Sequence, residues 1–81
     1  MTLQNIIELY PDEEILIADG LDEAVIGFES SSMRLIYSVR KCLDIFISQG
    51  MDEVEAQEYF SFNVEGSYVG EQTPIWCHDI L

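Results

Sequence analysis

Residues 38–50, Ser38-Val39-Arg40-Lys41-Cys42-Leu43-Asp44-Ile45-Phe46-Ile47-Ser48-Gln49-Gly50, decide the fold. Val39, Cys42, Leu43, Phe46 and Ile47 fall at i, i+3, i+4, i+7 and i+8, the spacing of one buried face of an α-helix. Ser38 offers a side-chain acceptor for the first free N–H groups, and Gly50 supplies a residue able to end the helix. The pattern predicts a helix from Ser38 to Gln49 with Leu43 and Phe46 in the core.

Working outward, Asp52-Glu53-Val54-Glu55 opens a second helix. Asp52 can cap it, and Glu53 and Glu55 sit favourably near the positive end of its dipole. Its inner stripe is expected to be Ala56, Tyr59, Phe60 and Asn63, with an end near Gly66. A loop from Ser67 to Pro74 then leads into a last strand at Ile75-Trp76-Cys77-His78.

On the other side, Ala24–Glu29 and Met33–Tyr37 are β-rich, and the polar Ser30-Ser31-Ser32 between them reads as a turn, so the pair forms an antiparallel hairpin. Gly27 inside a strand points to a bulge or to a side chain crossing close above the backbone. Leu3, Ile6 and Ile7 give a short N-terminal helix that Pro11 closes. Ile15-Leu16-Ile17-Ala18, stopped by Asp19-Gly20, is too short to classify by period and is read as a short helix or turn under the sheet. The expected architecture is α+β, a single domain over 1–81. A β-hairpin, two helices and a C-terminal strand form a three-stranded antiparallel sheet with helices on one face.

Eighty-one residues bury only about 60–65% of the surface exposed by the unfolded chain, so the stability margin is thin. Four Phe, four Tyr and one Trp supply large buried areas, and the sequence reads as folded rather than disordered. No basic leader precedes Gln4 and no apolar run reaches the roughly 18 residues of a membrane span, which predicts a cytoplasmic protein. Two cysteines, Cys42 and Cys77, fall short of a disulfide scaffold and read as reduced thiols, with a bridge between them left open.

The residue sets that carry catalysis or bind metals are poorly represented. Cys77-His78-Asp79 has the residue types of a nucleophilic triad, but neighbouring side chains on a strand point to opposite faces, so His78 cannot activate Cys77 there. Three Cys and His in total cannot build a structural zinc site of four ligands. Neither Asp12-Glu13-Glu14 nor Asp19-Gly20-Leu21-Asp22-Glu23 has the spacing of a calcium-binding loop. The glycines form no phosphate-binding pattern. No enzyme activity, cofactor or metal is expected.

Charge is the strongest compositional signal: sixteen Asp and Glu against three Lys and Arg, a net of −13. Direct binding to nucleic acid or to an anionic membrane surface is excluded on electrostatic grounds. Spread evenly, the charge would be one unit per ~380 Å², against roughly one per 110 Å² on duplex DNA. Gathered on half the surface it would approach the density of nucleic acid. All three cations fall between positions 34 and 41, with eight acids before that window and eight after it. A basic site built to hold nucleic acid would be steered toward such an acidic face.

The stretch from Ala56 to Ile75, with Tyr59-Phe60-Ser61-Phe62-Asn63-Val64-Glu65-Gly66 followed by Tyr68-Val69-Gly70-Glu71-Gln72-Thr73-Pro74, resembles a pattern in small acidic bacteriophage and prophage proteins. Asp19-Gly20-Leu21-Asp22-Glu23-Ala24-Val25-Ile26-Gly27 is similar to a second motif of the same proteins. Such proteins include inhibitors of host defence, among them anti-CRISPR and anti-restriction proteins that imitate DNA in charge. The resemblance therefore implies an inhibitor in the bacterial host cytoplasm, bound to a nucleic-acid-handling protein such as a CRISPR effector subunit.

Asp12, Glu13, Glu14, Asp19, Asp22 and Glu23 are the expected acidic patch, with Glu53, Glu55 and Glu58 on the second helix and Tyr68 and Glu71 on the loop as further contacts. The alternative is a small phage structural or regulatory module, self-associating as a homodimer, whose acidity serves solubility. Asn63, Gly66, Gly70 and Pro74 also have a purely structural reading, a constrained helix-to-strand loop in which Asn63 or Thr73 bonds the backbone.

Overall fold

The computed structural model describes residues 3–67 and 70–79. An N-terminal helix, α1 (Leu3–Leu9), is followed by an irregular stretch and a single 3₁₀ turn at Asp22–Ala24. Strands β1 (Val25–Glu29) and β2 (Arg34–Ser38) come next, then helices α2 (Val39–Ser48) and α3 (Glu53–Tyr59). A π-helix (Phe60–Glu65) extends α3, and β3 (Ile75–Cys77) is the last of the described elements. The α+β class is as expected from the sequence.

The central helix forms where its period placed it. Val39, Cys42, Leu43 and Phe46 are buried, Ser38 Oγ accepts from the Lys41 N–H (3.1 Å), and Gly50 follows the helix with φ +109°, a backbone state open to glycine. At the start of α3, Asp52 Oδ1 accepts from the Glu55 N–H (2.8 Å) while Glu55 reaches back to the Asp52 N–H, a reciprocal cap that satisfies two otherwise free donors.

The sheet order is β1-β2-β3, and it is mixed rather than antiparallel throughout: β1 pairs antiparallel with β2, but β3 pairs parallel, Ile36 opposite Ile75 and Ser38 opposite Cys77. The difference arises in the connection. Two helical elements and residues 66–74 make a crossover rather than a hairpin, and a strand re-entering beside β2 after a crossover can pair parallel. The loop returns the chain to the beginning of β2, where Arg34 Nε donates to the Thr73 carbonyl (2.6 Å). Thr73 Oγ1 also bonds the Gly70 carbonyl (2.6 Å), so the expected backbone bond of this loop comes from threonine.

Gly27 sits beside a β-bulge. Val25 opposes Tyr37 and Gly27 opposes Ile36, leaving Ile26 as an extra residue on β1. The inserted residue lets Val25 and Phe28, three apart, share the face of Leu35 and Tyr37. That face is the core: Tyr37 stacks on Trp76 (5.1 Å between rings), Trp76 meets Phe60 edge-on (5.5 Å), and Phe28 meets Tyr10 (4.8 Å).

Two further expectations are corrected. Ile15–Ala18 forms neither helix nor turn; it runs irregularly with Ile15 and Ala18 against the core and Leu16 and Ile17 exposed. Its backbone finds a partner in the sheet instead, because the Ala18 N–H donates to the Tyr37 hydroxyl (2.8 Å). The inner stripe of the second helix is Ala56, Phe60 and Val64, while Tyr59 and Asn63 are exposed. Beyond Phe60 the wide turn of the π-helix, with its i→i+5 bonding, carries the buried stripe on to Val64 and leaves Asn63 outside it.

The hairpin turn is held by one carboxylate. Glu29 accepts from the Ser31 hydroxyl, the Ser32 hydroxyl and N–H (2.9 Å each) and the Ser31 N–H (3.2 Å). Met33 in the same turn takes a left-handed backbone (φ +55°), which is costly for a side-chain-bearing residue.

The four donors, the Ser31 and Ser32 hydroxyls foremost, lower the Glu29 pKa from 4.5 to about 2. A depressed pKa means that the folded state resists protonation, so this stabilisation is complete above pH 4.5 and disappears as pH falls through about 2. Glu29→Gln is expected to lower the melting temperature at neutral pH, and the gap from wild type should close between pH 4.5 and 2; thermal melts of both proteins across that range check it. Leu43→Ala, which removes a buried side chain from α2, should cost about 2–5 kcal/mol in denaturant titrations.

Candidate functional site

A depression of about 730 Å³ lies between α1, the irregular segment, the 3₁₀ turn and the start of α2. Ile7, Ile17 and Val25 contribute apolar wall; Asp19, Asp22 and Glu23 contribute carboxylates, and Lys41 is the cation on its rim. The 3₁₀ turn explains the clustering. It turns Leu21 and Ala24 inward to the core, which leaves Asp22 and Glu23 facing solvent on the outer side. Gly20, with φ +80°, supplies the left-handed step that brings Asp19 round to the same opening.

The structure therefore brings three of the six residues of the expected patch together. Asp12, Glu13 and Glu14 are exposed in the turn after α1 and do not line this cleft. Glu53, Glu55 and Glu58 are exposed on α3, where Glu53 is engaged by Arg40. Glu71 lines a separate shallow depression with Ser31 and Ser32. Tyr68 lies outside the described residues.

Both arginines are occupied within the chain. Arg40 Nη1 contacts Glu53 Oε1 and Nη2 contacts Asp44 Oδ1, both at 2.8 Å, a two-sided clamp that pins the start of α2 to the start of α3. Its hydrogen bond lowers the Glu53 pKa. Arg34 is bonded to the Thr73 carbonyl, whereas the exposed Lys41 lines the cleft with Asp19, Asp22 and Glu23 and another depression with Glu23 and Asp44. The periodicity of α2 gave no sign of the Arg40 clamp, because Glu53 is thirteen residues away.

Cys77, His78 and Asp79 are drawn to different surroundings. His78 Nε2 meets Glu65 Oε2 (2.5 Å) and its ring lies edge-on to Phe60. Asp79 accepts from the Ser38 hydroxyl (2.5 Å) and the Arg40 N–H (3.3 Å) at the start of α2, contacts that lower its pKa, Ser38 foremost. Cys77 is half-buried, and both cysteines are free thiols. Burial, helped by the charge of Asp79, pushes the Cys42 thiol up to about 12.

Among the described residues no three His, Cys, Asp or Glu side chains gather closely enough to hold a metal ion, and no helix is long and apolar enough to cross a membrane. A second depression of about 420 Å³ lies between the irregular segment and the π-helix, next to Trp76, whose buried Nε1–H has no hydrogen-bond partner among the described residues. No family model matches the chain, and no curated protein or solved structure matches it.

The buried, protonated Cys42 should resist alkylation. Iodoacetamide at neutral pH is expected to leave Cys42 unmodified in the native protein and to modify it in denaturant, as read by mass spectrometry of the peptides; modification of native Cys42 at the rate of a free thiol would show that α2 does not seal the core there.

Proposed function

We propose that this chain is a binding protein that occupies, with its acidic surface, a basic site at which another protein holds nucleic acid, and so keeps nucleic acid out. The resemblance to small prophage proteins directs the proposal to a host defence target such as a CRISPR effector subunit. The role is occlusion rather than catalysis, exercised in the host cytoplasm.

The observation that carries this reading is the asymmetry between free carboxylates and engaged arginines. Arg40 and Arg34 are spent on internal partners, whereas Asp19, Asp22 and Glu23 open to solvent around one cleft. A surface of 5361 Å² with a net of −13 averages about one charge per 410 Å², too sparse to imitate a duplex evenly. Local gathering of the kind seen around the cleft is what such mimicry needs. Apolar wall beside the acids adds contact area that a phosphate backbone lacks, and gives the complex a component that salt does not screen.

Reversing two charges, Asp22→Lys with Glu23→Lys, should leave the fold intact, since exposed carboxylates contribute little to stability. Binding to the target should weaken by about tenfold for each pair lost with a partner Lys or Arg. Glu13→Lys with Glu14→Lys, outside the cleft, should act mainly on the association rate. Wild-type affinity should fall as added salt shortens the Debye length from about 10 Å to 3 Å, and excess DNA or RNA should displace the protein. Unchanged binding of the Asp22/Glu23 variant, together with no displacement by nucleic acid, would remove the mimicry mechanism.

A further inference from the structure

The arm formed by α3 and the π-helix presents an aromatic surface that charge alone does not account for. Phe62 is 81% exposed, Val54 62% and Tyr59 43%, in a chain with a small core and every reason to bury its rings. The placement of Phe62 follows from the stripe beneath it. With Phe60 and Val64 turned into the core, the residue midway between them must face the opposite side.

Around Phe62 lies a shallow dish of about 300 Å³, lined by Met51, Glu55, Glu58, Tyr59, Phe62 and Asn63. Its floor is rigid, because the Tyr59 ring stands edge-on against the buried Phe46 (5.0 Å) and Met51 packs on the core. Glu55 belongs to the reciprocal cap with Asp52, which fixes its position. Glu58 has no hydrogen bond or ion pair among the described residues, and no cation lines the dish.

We infer that this dish is the docking surface for a basic amphipathic segment of a protein partner, one that sets a large apolar side chain against Tyr59 and Phe62 and places Lys or Arg over Glu55 and Glu58. The charge pattern selects this occupant. A second copy of this chain in a two-fold pairing would set Glu55 and Glu58 against their own counterparts with no cation of the dish between them, a like-charge contact that opposes association. Aromatic anchors ringed by charges of one sign suit a partner of the opposite sign with apolar side chains at helical spacing. The inference rests on the proposed function for the basic character of the partner and adds the site of its apolar anchor.

Two defined probes test it without knowledge of the partner: a short amphipathic helix of Leu and Lys, and a Lys-only peptide of equal charge. In amide NMR titrations the Leu/Lys peptide is expected to shift Met51, Tyr59, Phe62 and Asn63 and to bind about tenfold more tightly than the Lys-only peptide. Phe62→Ala, at an exposed position, should keep the wild-type melting temperature and lose that advantage, and Glu58→Lys should weaken both peptides. The Asp22→Lys/Glu23→Lys variant should keep the advantage of the Leu/Lys peptide, which separates this surface from the acidic cleft. Equal binding of the two peptides, or unchanged binding by Phe62→Ala, overturns the inference. A dimer in sedimentation that Phe62→Ala abolishes would make the second copy the occupant and overturn it as well.

Discussion

Ser38 is the last residue of a strand and the cap of a helix at once, and the rest of the structure hangs on that junction. No loop separates β2 from α2, so the direction of the central strand fixes where the helix starts. The hydroxyl, wholly buried, receives the Lys41 N–H and gives its own proton to Asp79, while the Ser38 backbone stands in register with Cys77. One small side chain thus joins the hairpin, the first crossover helix and the end of β3. A buried hydroxyl with both roles satisfied costs little, whereas the same position with either partner missing would leave a polar atom stranded.

From that junction the crossover is held by two kinds of contact. Arg40, two residues on, clamps the starts of α2 and α3 together through Asp44 and Glu53. The aromatic contacts from Tyr37 to Trp76 to Phe60 then tie the π-helix to the central and last strands. The arrangement divides the labour of the acidic residues. Glu29, Asp79 and Glu53 serve local structure, and their pKa values are held down by the groups they bind. Asp19, Asp22, Glu23 and Glu58 keep their carboxylates exposed, and these supply the field that the functional reading uses.

Local signals were legible in the sequence wherever their cause was local. The 38–50 helix was readable because its period, its serine cap and its glycine stop agree, and the α3 cap because Asp52 and Glu55 have the spacing that a reciprocal cap requires. The hairpin and its irregularity at Gly27 could be read for the same reason. The direction of β3 could not, since it depends on where a nine-residue loop returns the chain, and nothing in Ile75-Trp76-Cys77 encodes which end of β2 it meets. Ile15–Ala18 misled because its backbone partner, the Tyr37 hydroxyl, is nineteen residues away. The stripe of the second helix was misassigned at Asn63 by a change from α to π winding that no single residue announces, and at Tyr59, which lies on the exposed border of α3 with its ring edge-on to Phe46. Acidity was plain from composition, yet the gathering of Asp19, Asp22 and Glu23 apart from Asp12, Glu13 and Glu14 needed the 3₁₀ turn to be seen.

The bulge at Ile26 also has a bearing on how crowded chains avoid one another. With β2 in the centre, β1 and β3 are the edge strands of the sheet, and a straight, flat edge is a template on which a neighbouring chain can add a strand. Here the first edge is bent by an inserted residue and thinned by Gly27, and the second is only three residues long. Electrostatic repulsion between like-charged molecules fades in acid as carboxylates are neutralised, whereas the bulge and the shortness of β3 are features of the backbone rather than of charge. Resistance to fibril-like stacking is therefore built into the backbone and not only into the charge that keeps the molecules apart.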